Sequence, residues 1–157
     1  MRRILLPLLL TGTWAACASD DPAPIVHVLS ATPDQIDPAD DLHDDVRITV
    51  EYEDADGDLG EGVAEIHDCR DDTLTTVLPI PAIAPDDVVS DGAKITGSLD
   101  LYLTDVGAAT AATLPSVCAD LGITALGADE TVFCVVLVDQ KEHAGPGDCT
   151  EAITLAP

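Results

Sequence analysis

The sequence predicts an all-β fold, an antiparallel two-sheet sandwich of about seven strands. Short β-prone runs separated by turn residues extend from residue 25 to the end, and no long segment of helical period precedes residue 110. In the run 46–52, apolar residues alternate with polar ones, as in a strand with one face in a core. Asp supplies 23 of the 30 acidic residues and favours turns over long helices. A small β-barrel is the alternative arrangement of such strands.

The pattern places the seven strands at residues 25–30, 46–52, 63–69, 73–80, 93–104, 131–139 and 149–155. Pro79 and Pro81 assign the fourth strand to a sheet edge, because proline cannot donate a ladder hydrogen bond. The sixth strand is hydrophobic on both faces, which predicts a central position. Pro115 suits the first turn of a short helix over 115–121, inserted before the sixth strand and carrying Cys118. Residues 33–45 are interpreted as a long acidic turn.

The first seventeen residues have the order of an export leader. Arg2 and Arg3 precede an apolar run over 4–10, which is too short to span a bilayer as a permanent helix. Small residues then precede Cys17. This order predicts that residues 1–16 are a signal peptide and that the mature chain begins at Cys17.

Ala15 and Ala16 before Cys17 resemble the lipobox of bacterial lipoproteins. The resemblance implies a diacylglyceryl group on the Cys17 sulfur and a further acyl chain on its freed amine. Trp14 departs from the family pattern, which usually has an aliphatic residue there. Ala18 follows the cysteine, which in Gram-negative lipoproteins permits transport to the outer membrane. We therefore expect a lipid-anchored protein of the cell envelope. The alternative is an ordinary signal peptide, which leaves a soluble secreted protein with an odd thiol.

After the leader, residues 17–24 are interpreted as a lipidated cysteine with a flexible tether, and residues 25–157 as one sandwich domain. The chain then holds 4 basic residues against 30 acidic ones, a net charge of −26. Such a surface excludes nucleic acid as a partner and excludes docking of the domain on anionic lipid. It favours cations, although an acidic surface also keeps an exported protein soluble without any ligand.

Four cysteines lie within the domain, Cys69, Cys118, Cys134 and Cys149. An even number in an oxidising compartment predicts two disulfides, and none of the spacings is the paired Cys-x-x-Cys of a zinc site. Two pairings remain open. Cys69 with Cys134 and Cys118 with Cys149 is one, and Cys69 with Cys118 and Cys134 with Cys149 is the other. A hairpin loop over 140–148 would set Cys149 opposite Asp139, which weakens the second pairing.

The stretch 52–58 resembles the Tyr-x-Asp-x-Asp-Gly-Asp turn of cadherin-like and PKD-like immunoglobulin folds in bacterial surface proteins. The stretch 133–139 is similar to the penultimate strand of those folds with its terminal aspartate. The resemblance implies that the sandwich is immunoglobulin-like. It covers two short stretches of a divergent superfamily and supports the fold better than any specific activity.

Asp54, Asp56 and Asp58 stand at alternate positions around Gly57 and can turn their oxygens onto one small volume. Six to eight oxygens are what a hard cation such as Ca²⁺ requires. In an immunoglobulin-like sandwich, the loop after the second strand and the loop between the last two strands share one end. The sequence therefore predicts a Ca²⁺ site with Asp139 as a fourth ligand.

Glu61 and Glu142 are further candidate ligands, because they stand in the same two loops. An EF-hand is rejected, since Leu59 occupies the position that needs Gly and strands rather than helices flank the loop. The alternative to a metal site is a solvated acidic turn in which the aspartates cap backbone amides.

Enzymatic patterns are weak in this sequence. The four histidines, at 27, 43, 67 and 143, form no pair typical of a catalytic metal, and no serine has the surroundings of a nucleophile elbow. With 1 Trp, in the leader, 2 Tyr and 1 Phe, the chain lacks stacking platforms for sugars or bases. We expect a non-catalytic binding, adhesion or structural module with a protein or glycan partner at the cell surface. The alternative is an envelope hydrolase or carbohydrate-active accessory protein that uses paired carboxylates.

Overall fold

A computed structural model of the protein describes residues 23–37, 44–83, 94–107 and 113–156. The elements in chain order are β1 (Ile25–Thr32), β2 (Gln35–Ile36), β3 (Asp44–Asp54), β4 (Val63–Asp68), β5 (Thr75–Pro79), β6 (Ile95–Val106), α1 (Ser116–Asp120), β7 (Glu130–Thr131), β8 (Phe133–Val138), β9 (Asp148–Cys149) and β10 (Ile153–Leu155). The predicted leader, Cys17 and the acidic turn residues 38–43 lie outside the described residues.

The strands form two layers. One layer has the order β1-β3-β6 and is antiparallel throughout. The other has the order β5-β4-β8-β9, and the small group β2-β10-β7 extends it, because β7 leads into β8 and β10 follows β9. Thr150 N–H donates to the Phe133 carbonyl at 2.9 Å across this junction. The arrangement confirms an antiparallel two-sheet sandwich of immunoglobulin-like type.

The first two strands, β1 and β2, belong to different layers. After β1 the chain passes a cis Thr32–Pro33 bond, and β2 then pairs in parallel with β10, with Ile36 beside Leu155. Ile36 is 1% exposed and belongs to the main core. The predicted long acidic turn over 33–45 was therefore wrong at its start and its end, because β2 occupies Gln35–Ile36 and β3 already begins at Asp44.

The core follows the alternation predicted from the sequence. In β3, Val46, Ile48 and Val50 are fully buried between the layers. In β8, one face adds Phe133, Val135 and Leu137 to this core. Each buried aliphatic or aromatic side chain of this kind stabilises the fold by about 1.5–3 kcal/mol.

The predicted edge strand, central strand and helical insertion are confirmed. β5 lies at the edge of its sheet, whereas β8 lies between β4 and β9 and is buried on both faces. α1 precedes β7 and β8 and carries the fully buried Cys118. Within the described part of the chain, no helix is long and apolar enough to cross a membrane.

Two disulfides are present, Cys69–Cys118 and Cys134–Cys149. The expected hairpin register was wrong, because Cys149 pairs directly with Cys134. The turn between the strands is shorter than predicted: Asp139 N–H donates to the His143 carbonyl at 3.2 Å, and Gly145 N–H donates to the Leu137 carbonyl at 3.1 Å. The chain therefore already runs back along β8 from about residue 144, which brings Cys149 opposite Cys134.

Candidate cation site at one end of the sandwich

Two loops meet at one end of the sandwich, where β3 and β8 end and β4 begins. We name residues 54–62 the aspartate loop and residues 139–143 the lysine turn. The backbone N–H of Gln140 donates to the Asp58 carbonyl at 3.3 Å, and the Gln140 side-chain amide donates to the Gly60 carbonyl. These bonds confirm that the loop after the second predicted strand and the loop between the last two strands are neighbours.

Gly62 is required where the aspartate loop enters β4. A Cβ atom at this position would lie 2.2 Å from the Val138 carbonyl oxygen and 2.8 Å from the Leu59 carbonyl oxygen. Both are backbone atoms, which cannot move aside as a flexible side chain can. The missing side chain therefore lets the start of β4 approach the end of β8, and the two loops stay together.

Asp54 anchors the aspartate loop from within. It is fully buried, and its Oδ2 accepts the N–H of Leu59 at 2.8 Å while Oδ1 accepts the N–H of Asp56 at a longer 3.4 Å. Leu59 is itself fully buried in the core, and Gly57 supplies a φ of 76° for the turn between them. Burial raises the pKa of the Asp54 carboxyl above its ordinary value.

The three aspartates of the loop converge as predicted. Asp54, Asp56 and Asp58 each offer a carboxylate oxygen, and these oxygens lie within 4.8 Å of one another. Oδ1 of Asp56 and both oxygens of Asp58 are buried and have no hydrogen-bond partner. Buried carboxylate oxygens without a partner are costly, so this group of atoms fits a cation that brings its own charge.

Lys141 places an ammonium group on these carboxylates. Its Nζ lies 2.7 Å from Asp56 Oδ2, with hydrogen-bond geometry, and 2.6 Å from Asp58 Oδ2, where the contact is an ion pair without that geometry. The Lys141 side chain remains 57% exposed. The hydrogen bond between them lowers the pKa of Asp56, and the two carboxylates, Asp56 foremost, raise the pKa of Lys141.

Lys141 was not predicted from the sequence as part of the site. A signal was available, because Lys141 is the only Lys or Arg after Lys94 and stands two residues beyond Asp139, in the turn expected to reach the aspartate loop. Because Lys141 is the only basic residue in this part of a strongly acidic sequence, it is an evident partner for the predicted carboxylate cluster.

Asp139 does not join the three carboxylates. Its Oδ1 accepts the N–H groups of Lys141 at 2.8 Å and His143 at 2.9 Å, and its Oδ2 lies 3.0 Å from His143 Nδ1. Asp139 is 4% exposed, and these contacts engage both of its oxygens. Its side chain therefore holds the lysine turn in shape. Of the other candidates, Glu61 and Glu142 are exposed and have φ values of 66° and 67°, in the left-handed region.

A cavity of about 340 Å³ opens at the other end of the sandwich, lined in part by Asp68, Arg70, Asp105 and Phe133. Asp68 and Arg70 form a buried ion pair, with Nη2 2.5 Å and Nε 2.9 Å from the two carboxylate oxygens. Thr131 Oγ1 donates to Asp68 at 3.0 Å, and Arg70 Nη1 donates to the Gly107 carbonyl at 3.2 Å. The buried carboxylate of this cavity is thus already neutralised and hydrogen-bonded.

The described sulfur atoms offer no free metal ligands. Sγ atoms of Cys69, Cys118 and Cys134 lie within 4.8 Å of one another, but each belongs to a disulfide. No known protein family, curated protein or solved structure matches this chain.

Proposed function

We propose that this is an exported, lipid-anchored protein of the cell envelope that acts as a non-catalytic binding, adhesion or structural module. In this proposal one Ca²⁺ stiffens the loop end of the sandwich by binding Asp54, Asp56 and Asp58. The observation that carries it is the convergence of three carboxylates at the point where two loops meet, with three buried oxygens that accept no hydrogen bond and only one of these, Asp58 Oδ2, in an ion pair.

The donor set favours a hard cation over a soft one. All the converging side-chain atoms are carboxylate oxygens, which suit Ca²⁺ and Mg²⁺, whereas zinc and copper prefer imidazole and thiolate. Ca²⁺ accepts irregular sets of six to eight oxygens and leaves room for backbone carbonyls and water. Asp139 contributes indirectly, because it fixes the turn that covers the aspartate loop.

Two features support a module rather than an enzyme. The converging carboxylate oxygens lie in a loop at one end of the sandwich. In the cavity at the other end, the carboxylate of the buried Asp68 is already engaged, because Arg70 and Thr131 both donate hydrogen bonds to it. The two disulfides support export, because such bonds persist in oxidising compartments.

Calcium titration of the full-length, oxidised, chelator-treated protein tests the metal site. We expect saturable heat near one ion per chain in calorimetry, together with a raised melting temperature. The double variant Asp56→Asn/Asp58→Asn keeps the size of both side chains and should lose both effects. Binding that persists in this variant, or its absence in the wild-type protein, would reject the site.

Radiolabelled fatty acid tests the anchor in a bacterial host that processes lipoproteins. We expect label on the wild-type protein and none on the Cys17→Ser variant, with the wild type in the membrane fraction. An unlabelled wild-type protein recovered in the soluble fraction would instead support the ordinary signal peptide.

A further inference from the structure

The two disulfides touch each other. Sγ of Cys69 lies 3.4 Å from Sγ of Cys134, although each is bonded to a different cysteine. Cys69, Cys118 and Cys134 are at most 1% exposed and pack with Val132 in a small apolar cluster. Thiol–disulfide exchange requires a thiolate to reach a disulfide sulfur, and reacting atoms about 3–3.5 Å apart are at attack distance. A thiolate released at Cys134 would therefore be beside its next target.

Of the four domain cysteines, Cys149 is the one that is not fully buried. It is only partly buried and lines a surface groove of about 300 Å³ between β1 and the β9–β10 segment. Asp34 and Glu151 also line this groove, and Asp148 precedes Cys149 in the chain. Carboxylates at the access route attract cations and repel anions, so the charge of an incoming thiol should control its rate.

We propose that Cys149 is a site of modification by small cationic thiols. Its modification causes Cys69 to exchange its disulfide partner, from Cys118 to Cys134. The incoming thiolate attacks Sγ of Cys149, forms a mixed disulfide there and expels the Cys134 thiolate. That thiolate attacks Sγ of Cys69, forms a Cys69–Cys134 bond and expels the Cys118 thiolate, which takes up a proton. Each step forms one S–S bond and breaks one, so no external oxidant or reductant is required.

The exchange changes which elements are joined. In the resting protein, Cys69–Cys118 ties the α1 segment to the end of β4, and Cys134–Cys149 joins β8 to β9. After exchange, the remaining internal bond joins the end of β4 to β8, and the disulfide that held α1 is gone. Leu114, Val117 and Leu121 pack on the sulfur cluster. The α1 segment thus becomes the part of the fold that the modification loosens.

Peptide mapping of the full-length protein tests the order of exchange. The protein is incubated with cysteamine, quenched with acid and alkylated in denaturant with N-ethylmaleimide. Cleavage after Arg70 and Lys141 separates Cys69 and Cys149 from the other two domain cysteines, and cleavage at acidic residues over 120–130 then separates Cys118 from Cys134.

We expect cysteamine on Cys149, N-ethylmaleimide on Cys118 and a linked Cys69–Cys134 peptide pair. Alkylation of Cys134 with Cys69–Cys118 intact would overturn the transfer step. First attack on Cys69–Cys118, or no modification of Cys149, would overturn the assignment of the accessible sulfur.

Thiol charge and two variants provide independent readouts. At equal thiolate concentration and low salt, cysteamine should modify Cys149 on the order of ten-fold faster than anionic 2-mercaptoethanesulfonate, and salt should shrink the difference. Equal rates would overturn the charge selection.

Without any added thiol, the Cys149→Ser variant should contain linked Cys69–Cys134 and a free Cys118. The matched Cys69→Ser variant lacks the relay sulfur and should keep Cys134–Cys149 with Cys118 free; linked Cys118 and Cys134 there would contradict the route through Cys69.

Discussion

Nζ of Lys141 lies 2.6 Å from Oδ2 of Asp58, so that the turn after β8 places a cation on the loop after β3. Cation and carboxylates come from parts of the chain more than eighty residues apart, which are brought together because β3, β4 and β8 share one end. The backbone of Lys141 is held by Asp139, whereas its side chain is 57% exposed. The ammonium group is therefore a natural competitor of a metal ion at the three carboxylates.

The Lys141→Gln substitution should strengthen Ca²⁺ binding. Because ammonium and metal ion require the same oxygens, removing the ammonium raises the fraction of chains ready to bind, and we expect an affinity gain on the order of ten-fold. Calorimetric titration at low and physiological salt measures it. Lys94→Gln is the matched control, since it also removes one positive charge, from an exposed pair with Glu53. Equal gains in both variants would indicate a general charge effect and not a competition at the site.

Removing the Asp54 carboxylate should destabilise the fold whether or not metal is present. Asp54→Ala leaves the N–H of the buried Leu59 without its acceptor, which costs about 1–3 kcal/mol of unfolding free energy. Urea denaturation in the presence of a chelator measures the loss. Asp100→Ala is the control, because Asp100 accepts an exposed bond from Thr49 and its removal should cost about 0.5 kcal/mol or less of unfolding free energy. Similar losses in both variants would remove Asp54 from its anchoring role.

The ion pair at the site should give an acid-sensitive contribution to stability. The hydrogen bond from Lys141 lowers the pKa of Asp56 below its ordinary value. A carboxyl whose pKa is lower in the folded state stabilises the fold above the pKa of the unfolded state, and this stabilisation is lost as pH falls through the folded-state pKa. Carboxyl NMR titration of the metal-free protein should show a lower pKa for Asp56 in the wild type than in Lys141→Gln.

Asp71 is the internal reference for that titration. Its pKa is lowered by the N–H and hydroxyl of Thr73, far along the chain from Lys141, and should not respond to the substitution. Equal movement of Asp56 and Asp71 would mean that Lys141 acts through net charge and not through its contact with Asp56.

Removing one partner of the buried Asp68–Arg70 pair should destabilise the fold strongly, whereas replacing both partners together should destabilise it little. Arg70→Met leaves an uncompensated carboxylate, which costs about 3–5 kcal/mol of unfolding free energy. The double variant Asp68→Asn/Arg70→Met removes both charges and should recover most of that loss. Chemical denaturation of both variants and of Asp68→Asn completes the cycle. A double variant no more stable than Arg70→Met would show that the polar contacts to Thr131 and Gly107 matter more than the charge balance.

Most of the fold follows from local sequence patterns. The alternation over 46–52 predicts β3 because one face of a strand must be apolar to enter a core, and Pro79 predicts an edge because it cannot donate to a neighbour. The same reasoning could not find β2, since a two-residue strand has no period and Ile36 is buried by pairing with a strand more than a hundred residues away.

The candidate site divides in the same way. The convergence of Asp54, Asp56 and Asp58 is predicted by their spacing, because alternate residues around a glycine turn lie within a few ångströms of one another. The roles of Asp139 and Lys141 were not predicted. Both depend on where the lysine turn closes, and hydrogen bonds between distant strands decide that position.

The sequence by itself determined the strand pattern, the acidic charge, the even number of domain cysteines and the spacing of the aspartate loop, since each is a property of neighbouring residues. Only the tertiary structure decided that Cys134 pairs with Cys149, that Lys141 sits on Asp56 and Asp58, and that the two disulfides touch. The physical reason is register. A shift in the hairpin after β8 would move Cys149 away from Cys134 and Lys141 away from the aspartate loop, and a shift between β4 and β8 would separate Cys69 from Cys134.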